Sequence, residues 1–167
     1  RRRLLGLRRH AFSSHALTID TLTYYCPPRI ASFAQKAAAV WNDTLRDLIA
    51  LAPGNQANIH ISFQWGVRSK DNPTRIAECQ RLAPDLWHIR LEASLRWRRD
   101  TFWDRLLGRG EDTFATLVHE FGHVFGLPHS DDPDDVMHPE IGGDGKLSKQ
   151  EKAMYRDQFL ENLEDEA

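Results

Sequence analysis

Three histidines and one glutamate carry the spacing of a metal site. His119-Glu120-Phe121-Gly122-His123 sets two imidazoles four residues apart, which on a helix projects both from one face, about one turn apart. Nitrogens so placed can share one Zn2+ at roughly 2.0–2.1 Å each. Glu120 stands where its carboxylate can reach a metal-bound water without being a ligand. Gly126 can adopt the positive φ that ends a helix and turns the chain back. That turn delivers His129 as a third ligand. A fourth position stays open, which separates a catalytic zinc from a structural one.

The chemistry expected of such a site is hydrolysis. Zinc held by neutral imidazoles lowers the pKa of its water from about 15.7 toward about 7. Glu120 then serves as general base and returns the proton to the leaving amine as general acid. HExxH alone is a weak signal, but HExxHxxGxxH followed by Met137 completes the set described for metzincins. Met137 is expected to form a hydrophobic floor under the ligands rather than to touch the metal.

Residues 119–130, HEFGHVFGLPHS, followed by DDPDDVMHP over 131–139, resemble the catalytic domain of the matrixins, the metzincin branch that includes the matrix metalloproteinases. Ser130 after the third histidine and Val136-Met137-His138-Pro139 as the Met-turn fit that branch. Astacin- and serralysin-type metzincins place a zinc-binding Tyr where this chain has His138 and Pro139. The resemblance implies a zinc-dependent metalloendopeptidase of minimal bacterial type, acting on protein or peptide substrates and secreted or held in the cell envelope. It also implies a zincin-like α+β sandwich: a twisted, mostly parallel sheet with an antiparallel edge strand, an active-site helix and a C-terminal helix. In the family the edge strand pairs with the substrate backbone, a role that falls here to Ile76 and Ala77. Pro139 and Ile141 match a wall of the S1′ pocket, with apolar side chains expected to enter it.

This chain also departs from the family pattern. Matrix metalloproteinases hold a structural zinc and a calcium through histidine- and Asp-rich loops, whereas the loop Val67 to Thr74 has no histidine and the edge strand offers Glu78. Only His88 falls at a matching place. One catalytic zinc is therefore expected, with His88 a satisfied polar residue on its strand. Neither Cys26 nor Cys79 sits in the Pro-Arg-Cys-Gly context of a cysteine switch. The pair could form one disulfide or remain free thiols. The acids Asp131, Asp132, Asp134 and Asp135 read as a solvated turn. His10, His15 and His60 have no partners at ligand spacing.

The elements that must position these groups fit one domain. At 167 residues the chain is long enough for a real core, with residues 1–15 as a basic arm and 16–167 as the catalytic domain. Apolar content of 41% with 28% charged residues is that of a soluble globular fold. The net charge of −2 predicts nothing about partners; the arginines of the first nine residues read as a solvated arm, with contact to nucleic acid or a membrane surface as the alternative, and no nucleic acid is expected. No run approaches the ~18 apolar residues of a membrane span. Leu4-Leu5-Gly6-Leu7 is too short for a signal-peptide core, and since the chain opens on Arg this carries no weight for localisation. A monomer is the default.

Leu17 to Tyr25 is expected as a first strand. A helix follows from Arg29 to about Leu51, with Ile30, Phe33, Ala34, Ala37, Ala38, Trp41, Leu45 and Leu48 as its apolar stripe and Pro53-Gly54-Asn55 as its end. Ile59 to Trp65 alternates as the next strand, parallel to the first. Arg75 to Arg81 is a candidate short strand, and Trp87 to Leu91 another. Asp100 caps a short helix through Leu107, and Trp97, Phe102 and Trp103 cover a core edge. Asp112 is expected as N-cap of the zinc helix, whose Phe114, Leu117, Val118, Phe121 and Phe125 anchor it. Ser148 and Glu151 form the capping box of a last helix, Lys149 to Leu163. Asp144-Gly145-Lys146 lacks EF-hand spacing.

Overall fold

The computed structural model describes residues 20–97, 111–141 and 144–165. The basic arm, the candidate helix from Asp100 and the residues Phe102 and Trp103 lie outside them. Five strands form one sheet: β1 (Asp20–Tyr25), β2 (Ile49–Pro53), β3 (Ile59–Gln64), β4 (Ala77–Ala83) and β5 (Leu86–Glu92), in the spatial order β2-β1-β3-β5-β4. The first four in that order run parallel, and β4 pairs antiparallel to β5 at the edge. Three helices complete the described fold: α1 (Ala31–Thr44), α2 (Thr113–Val124) and α3 (Lys149–Asp165). This is the α+β arrangement expected, mostly parallel with an antiparallel edge.

Pro27 and Pro28 end β1 and lead through a 3-10 turn, Pro28–Ile30, into α1. Phe33, Ala34, Ala37, Ala38 and Trp41 of α1 are buried, a stripe at helical spacing. The helix is shorter than expected. It stops at Thr44 rather than running to Leu51, and residues Ile49–Pro53 form β2 against β1, Asp20 facing Ile49 and Leu22 facing Leu51. Asp47 makes the break by taking φ +68°, a conformation that Asp tolerates better than most residues. Leu45 and Leu48 continue the helical period by coincidence, while Ile49 and Leu51 are the inward residues of a strand. Asn42 fastens the two: its amide donates to Leu51 O at 2.9 Å and its Oδ1 accepts from Leu51 N at 2.6 Å. Pro53 and Gly54 therefore follow a strand, not a helix.

The pair expected as parallel neighbours, β1 and β3, is so paired, with Tyr24 opposite Ile59. The edge strand begins two residues later than expected, at Ala77, although Ile76 O already accepts from Glu92 N at 2.9 Å. Cys26 and Cys79 are both free. Cys79 is on β4, and Cys26 follows β1, three strand spacings or about 14 Å across the sheet. A disulfide needs Cα atoms within about 7 Å, so the topology settles the open pairing in favour of free thiols.

One core joins sheet and helices, with Trp41, Phe121, Ile61, Ile89 and Phe159 almost wholly inaccessible. Trp41 ties α1 to α2 by donating its indole N–H to Val118 O at 2.8 Å. Trp97 covers a core edge as expected, its indole N–H on Glu92 O at 2.8 Å and its ring edge-on to Phe63. The capping box of α3 is formed in both directions: Ser148 N donates to Glu151 Oε2 at 2.7 Å and Glu151 N to Ser148 Oγ at 3.2 Å. Among the described residues no helix is long and apolar enough to cross a membrane.

Candidate metal centre and catalytic site

α2 starts at Asp112, whose carboxylate accepts from Ala115 N at 3.0 Å. Its end is shaped by Gly126, at φ +79°. Leu127 N donates to Gly122 O at 3.2 Å and Gly126 N to His123 O at 3.0 Å, the two bonds of a Schellman cap that need a left-handed residue at this point. The chain turns back there and carries His129 over the helix. Leu117, Val118, Phe121 and Phe125 are buried beneath, and Phe114 is half-buried. The ligand-bearing helix is thus fixed on all but its cleft side.

His119, His123 and His129 converge, their ligand atoms all within 4.8 Å of one another. His123 Nε2 stands 3.0 Å from His119 Nε2 and 3.1 Å from His129 Nε2. Four-coordinate ligands at 2.0–2.1 Å from a zinc are about 3.3 Å apart, so the separations suit one ion. The other ring nitrogens fix the tautomers. His119 Nδ1–H donates to Val136 O at 2.8 Å, and His123 Nδ1–H to Leu127 O at 2.9 Å. A carbonyl can only accept, so the proton of each neutral ring is on Nδ1 and the Nε2 lone pairs face inward. Lone pairs pointed at one another repel unless a cation lies among them. Burial holds all three imidazoles below the ordinary histidine range, His119 down to about 4. The donor set is therefore neutral, as zinc requires.

Glu120 is buried beside this cluster, 3% exposed, and its Oε2 has no hydrogen-bond partner among the described residues. Burial pushes its carboxyl up to about 8, and the positive charge of Arg75 acts in the opposite direction. Such an orphaned polar atom is costly unless it serves a site.

Met137 is fully buried. A Cβ on Gly122 would stand 2.4 Å from its Sδ, so the thioether lies directly against the helix backbone between His119 and His123. Ser130 N donates to Met137 O at 3.0 Å, which ties the segment after the third histidine to the Met-turn. Asp135 corrects the picture of a solvated acidic turn. It accepts from Met137 N at 2.7 Å and from the Tyr155 hydroxyl of α3, whereas Asp131, Asp132 and Asp134 are exposed. Nothing in a run of four aspartates distinguishes the one that folds inward.

Ile76 and Ala77 are half-buried at the leading end of β4, which packs against α2. Pro139 is exposed and Ile141 half-buried, on the segment after Met137. His88 bonds Ser62 Oγ through Nε2 at 2.8 Å, a satisfied residue on β5. The His60 ring lies tilted beside that of Tyr25, their centroids 6.4 Å apart. Glu92 was not singled out in the sequence. It closes the β3–β4 loop onto β5, accepting from Arg68 N at 3.0 Å and from Ser94 N and Oγ at 3.0 and 2.8 Å.

A family model described as matrixin matches residues 13–157. The chain belongs to the matrixin family. Matrix metalloproteinase-9 of Canis lupus familiaris is 28% identical over 120 residues, 72% of this chain and 14% of that protein. Matrix metalloproteinase-25 of Homo sapiens is 56% identical over 36 residues, 22% of this chain and 6% of its own length. Matrilysin of Felis catus is 46% identical over 43 residues, 26% of this chain and 16% of its length. The matches thus span only a small part of each relative. As a matrixin the chain has a fold built around a catalytic zinc, and its His119, His123 and His129 form the group able to hold that ion.

Proposed function

We propose that this domain is a zinc-dependent endopeptidase in which His119, His123 and His129 hold the metal and Glu120 moves the proton. The observation that carries the reading is the unpartnered Glu120 oxygen, buried beside three inward-facing imidazole nitrogens. Zinc in such a site supplies Lewis acidity and an acidified water. Glu120 accepts a proton from the attacking water and delivers it to the leaving amine. Its burial favours this, because desolvation raises the affinity of the carboxylate for the proton it takes from water. The carbonyls of Val136 and Leu127 keep the two helical imidazoles oriented through their Nδ1–H groups, and Met137 supports the helix beneath them.

The substrate is an extended peptide added as a strand alongside β4 at Ile76 and Ala77; the Ile76 carbonyl is turned inward to Glu92 N, so the backbone groups offered at the open edge begin at Ala77. Pro139 and Ile141 line the pocket for the side chain after the scissile bond and favour an apolar group there. By the family resemblance the protein acts outside the cytoplasm, and fractionation of host cells checks that placement.

Zinc content and cleavage of unfolded casein, measured on the parent protein and Glu120→Ala together, test the reading. One zinc per chain in both proteins, with cleavage confined to the parent and stopped by a chelator, is the expected result. Cleavage by Glu120→Ala at the parental rate would remove Glu120 from its role. Zinc binding without cleavage by either protein would replace the peptidase by a zinc-dependent binding module.

A further inference from the structure

β4 is the edge of the sheet and lies against α2. At its leading end three charged side chains meet. Arg75 Nη1 donates to Glu78 Oε2 at 2.9 Å, and Arg90 pairs with the other oxygen of the same carboxylate. Two cations share one anion, so one positive charge is left over. Exposure decides where it sits. The side chains of Glu78 and Arg90 are 15% and 27% exposed, that of Arg75 43%. The carboxylate is held from inside by Arg90, and Arg75 carries the surplus charge at the rim. Among the described residues its bond to Glu78 engages one of five N–H donors, so a second carboxylate can be accepted.

That rim belongs to the strand that packs against the ligand-bearing helix. Arg75 is close enough to act electrostatically on both the Glu120 carboxyl and the His129 ring, although these residues come from α2 and from the turn beyond it. It also directly precedes Ile76 and Ala77, where the peptide strand would begin to pair.

Resting on the endopeptidase reading, we propose that Arg75 is a specificity-determining residue, favouring substrates that carry an aspartate or glutamate close to the scissile bond. A guanidinium at a cleft rim binds a carboxylate by charge-assisted, forked hydrogen bonds. Because Arg75 is part-exposed the preference is modest, about 1.5- to 5-fold, and it weakens as salt screens the pair.

The test uses pairs of fluorogenic peptides that differ only by Glu against Gln, scanned over the two residues on each side of the scissile bond. The readout is the ratio of kcat/KM within a pair, with zinc content and thermal unfolding as controls for the fold. The parent protein should favour Glu at one scanned position, mainly through KM, and less so at high salt. Arg75→Gln should bring that ratio to about one, and Arg75→Glu should invert it. Equal ratios in the parent and Arg75→Gln at every position, or a drop shared by both peptides of a pair, would overturn the assignment. If the zinc-loaded parent cleaves neither peptide, the endopeptidase reading itself fails. If it cleaves both equally, only the role of Arg75 does.

Discussion

Gly122 and Met137 occupy one space: the hydrogen of Gly122 faces the Met137 thioether so closely that a Cβ there would lie 2.4 Å from Sδ and 3.1 Å from Cζ2 of Trp41. The glycine sits between the two helical histidines, so the close approach is what brings the Met-turn under the cluster. Ala at this position would favour the helix by up to ~1 kcal/mol, but the forced displacement of a buried side chain costs about 1–3 kcal/mol. Gly122→Ala should therefore be net destabilising in a denaturant titration and should weaken zinc binding. Met137→Ala empties the space at a cost of about 2–5 kcal/mol. The double variant should be more stable than the sum of the two losses implies, since the new methyl fills the vacated volume. Strict additivity would mean that the two residues do not compete.

Tyr155 anchors the same turn from the opposite side. Its hydroxyl donates to Asp135, Asp135 accepts from Met137 N, and the carbonyl of the intervening Val136 accepts from His119. A hydrogen bond to a charged group is worth about 1.5–3 kcal/mol, and Tyr155→Phe removes one without changing shape. The expected effects are a loss of that order in unfolding free energy and a fall in zinc affinity of up to about 10-fold, less than or equal to that of a direct ligand partner. Competition with a chromophoric chelator measures the second effect. Unchanged zinc affinity would show that α3 supports the fold but not the ligand orientation.

Glu92 sets an acid limit on stability. Bonds from the backbone of Arg68 and Ser94 hold its carboxyl down at about 2, against an ordinary value of 4.5. A group whose folded pKa is depressed contributes fully above its unfolded value and loses that contribution as pH falls toward the folded one. The stability gap between the parent and Glu92→Gln should thus be constant above about pH 5, shrink between 4.5 and about 2, and be gone below. Unfolding midpoints measured across that range decide it. A gap that ignores pH would mean the carboxylate charge is not what closes the loop.

The three-histidine cluster was legible because its constraint is local. Four residues of a helix and one turn determine how His119, His123 and His129 meet, and Gly126 announces the turn. Asp112 and the Ser148–Glu151 pair were legible for the same reason, each a cap acting within three residues. Asp135 and Glu92 were not. Their partners, Tyr155 and Arg68, lie 20 and 24 residues away, and no short-range pattern marks a carboxylate that finds its donor through the fold. β2 was missed for a different reason. Leu45, Leu48 and Leu51 are spaced three apart, a period that serves a helix, and a five-residue strand offers too few alternations to outweigh it.

What decides the fate of Ile49–Pro53 is therefore tertiary, and Asn42 is where that can be tested. Its amide replaces a neighbouring strand at Leu51, satisfying one donor and one acceptor on the outer edge of β2. Asn42→Ala removes both bonds at a net cost of about 1–3 kcal/mol. The strand keeps its pairing to β1, so the loss should be local. Hydrogen exchange of the Leu51 amide should accelerate by about 5- to 150-fold if that cost falls on opening of this strand, with zinc binding untouched because the metal cluster is carried by α2 and the turn that follows it. Exchange unchanged at Leu51 would mean that the edge is held by β1 alone. A parallel loss of zinc affinity would instead mean that β2, α1 and the zinc helix open as one unit.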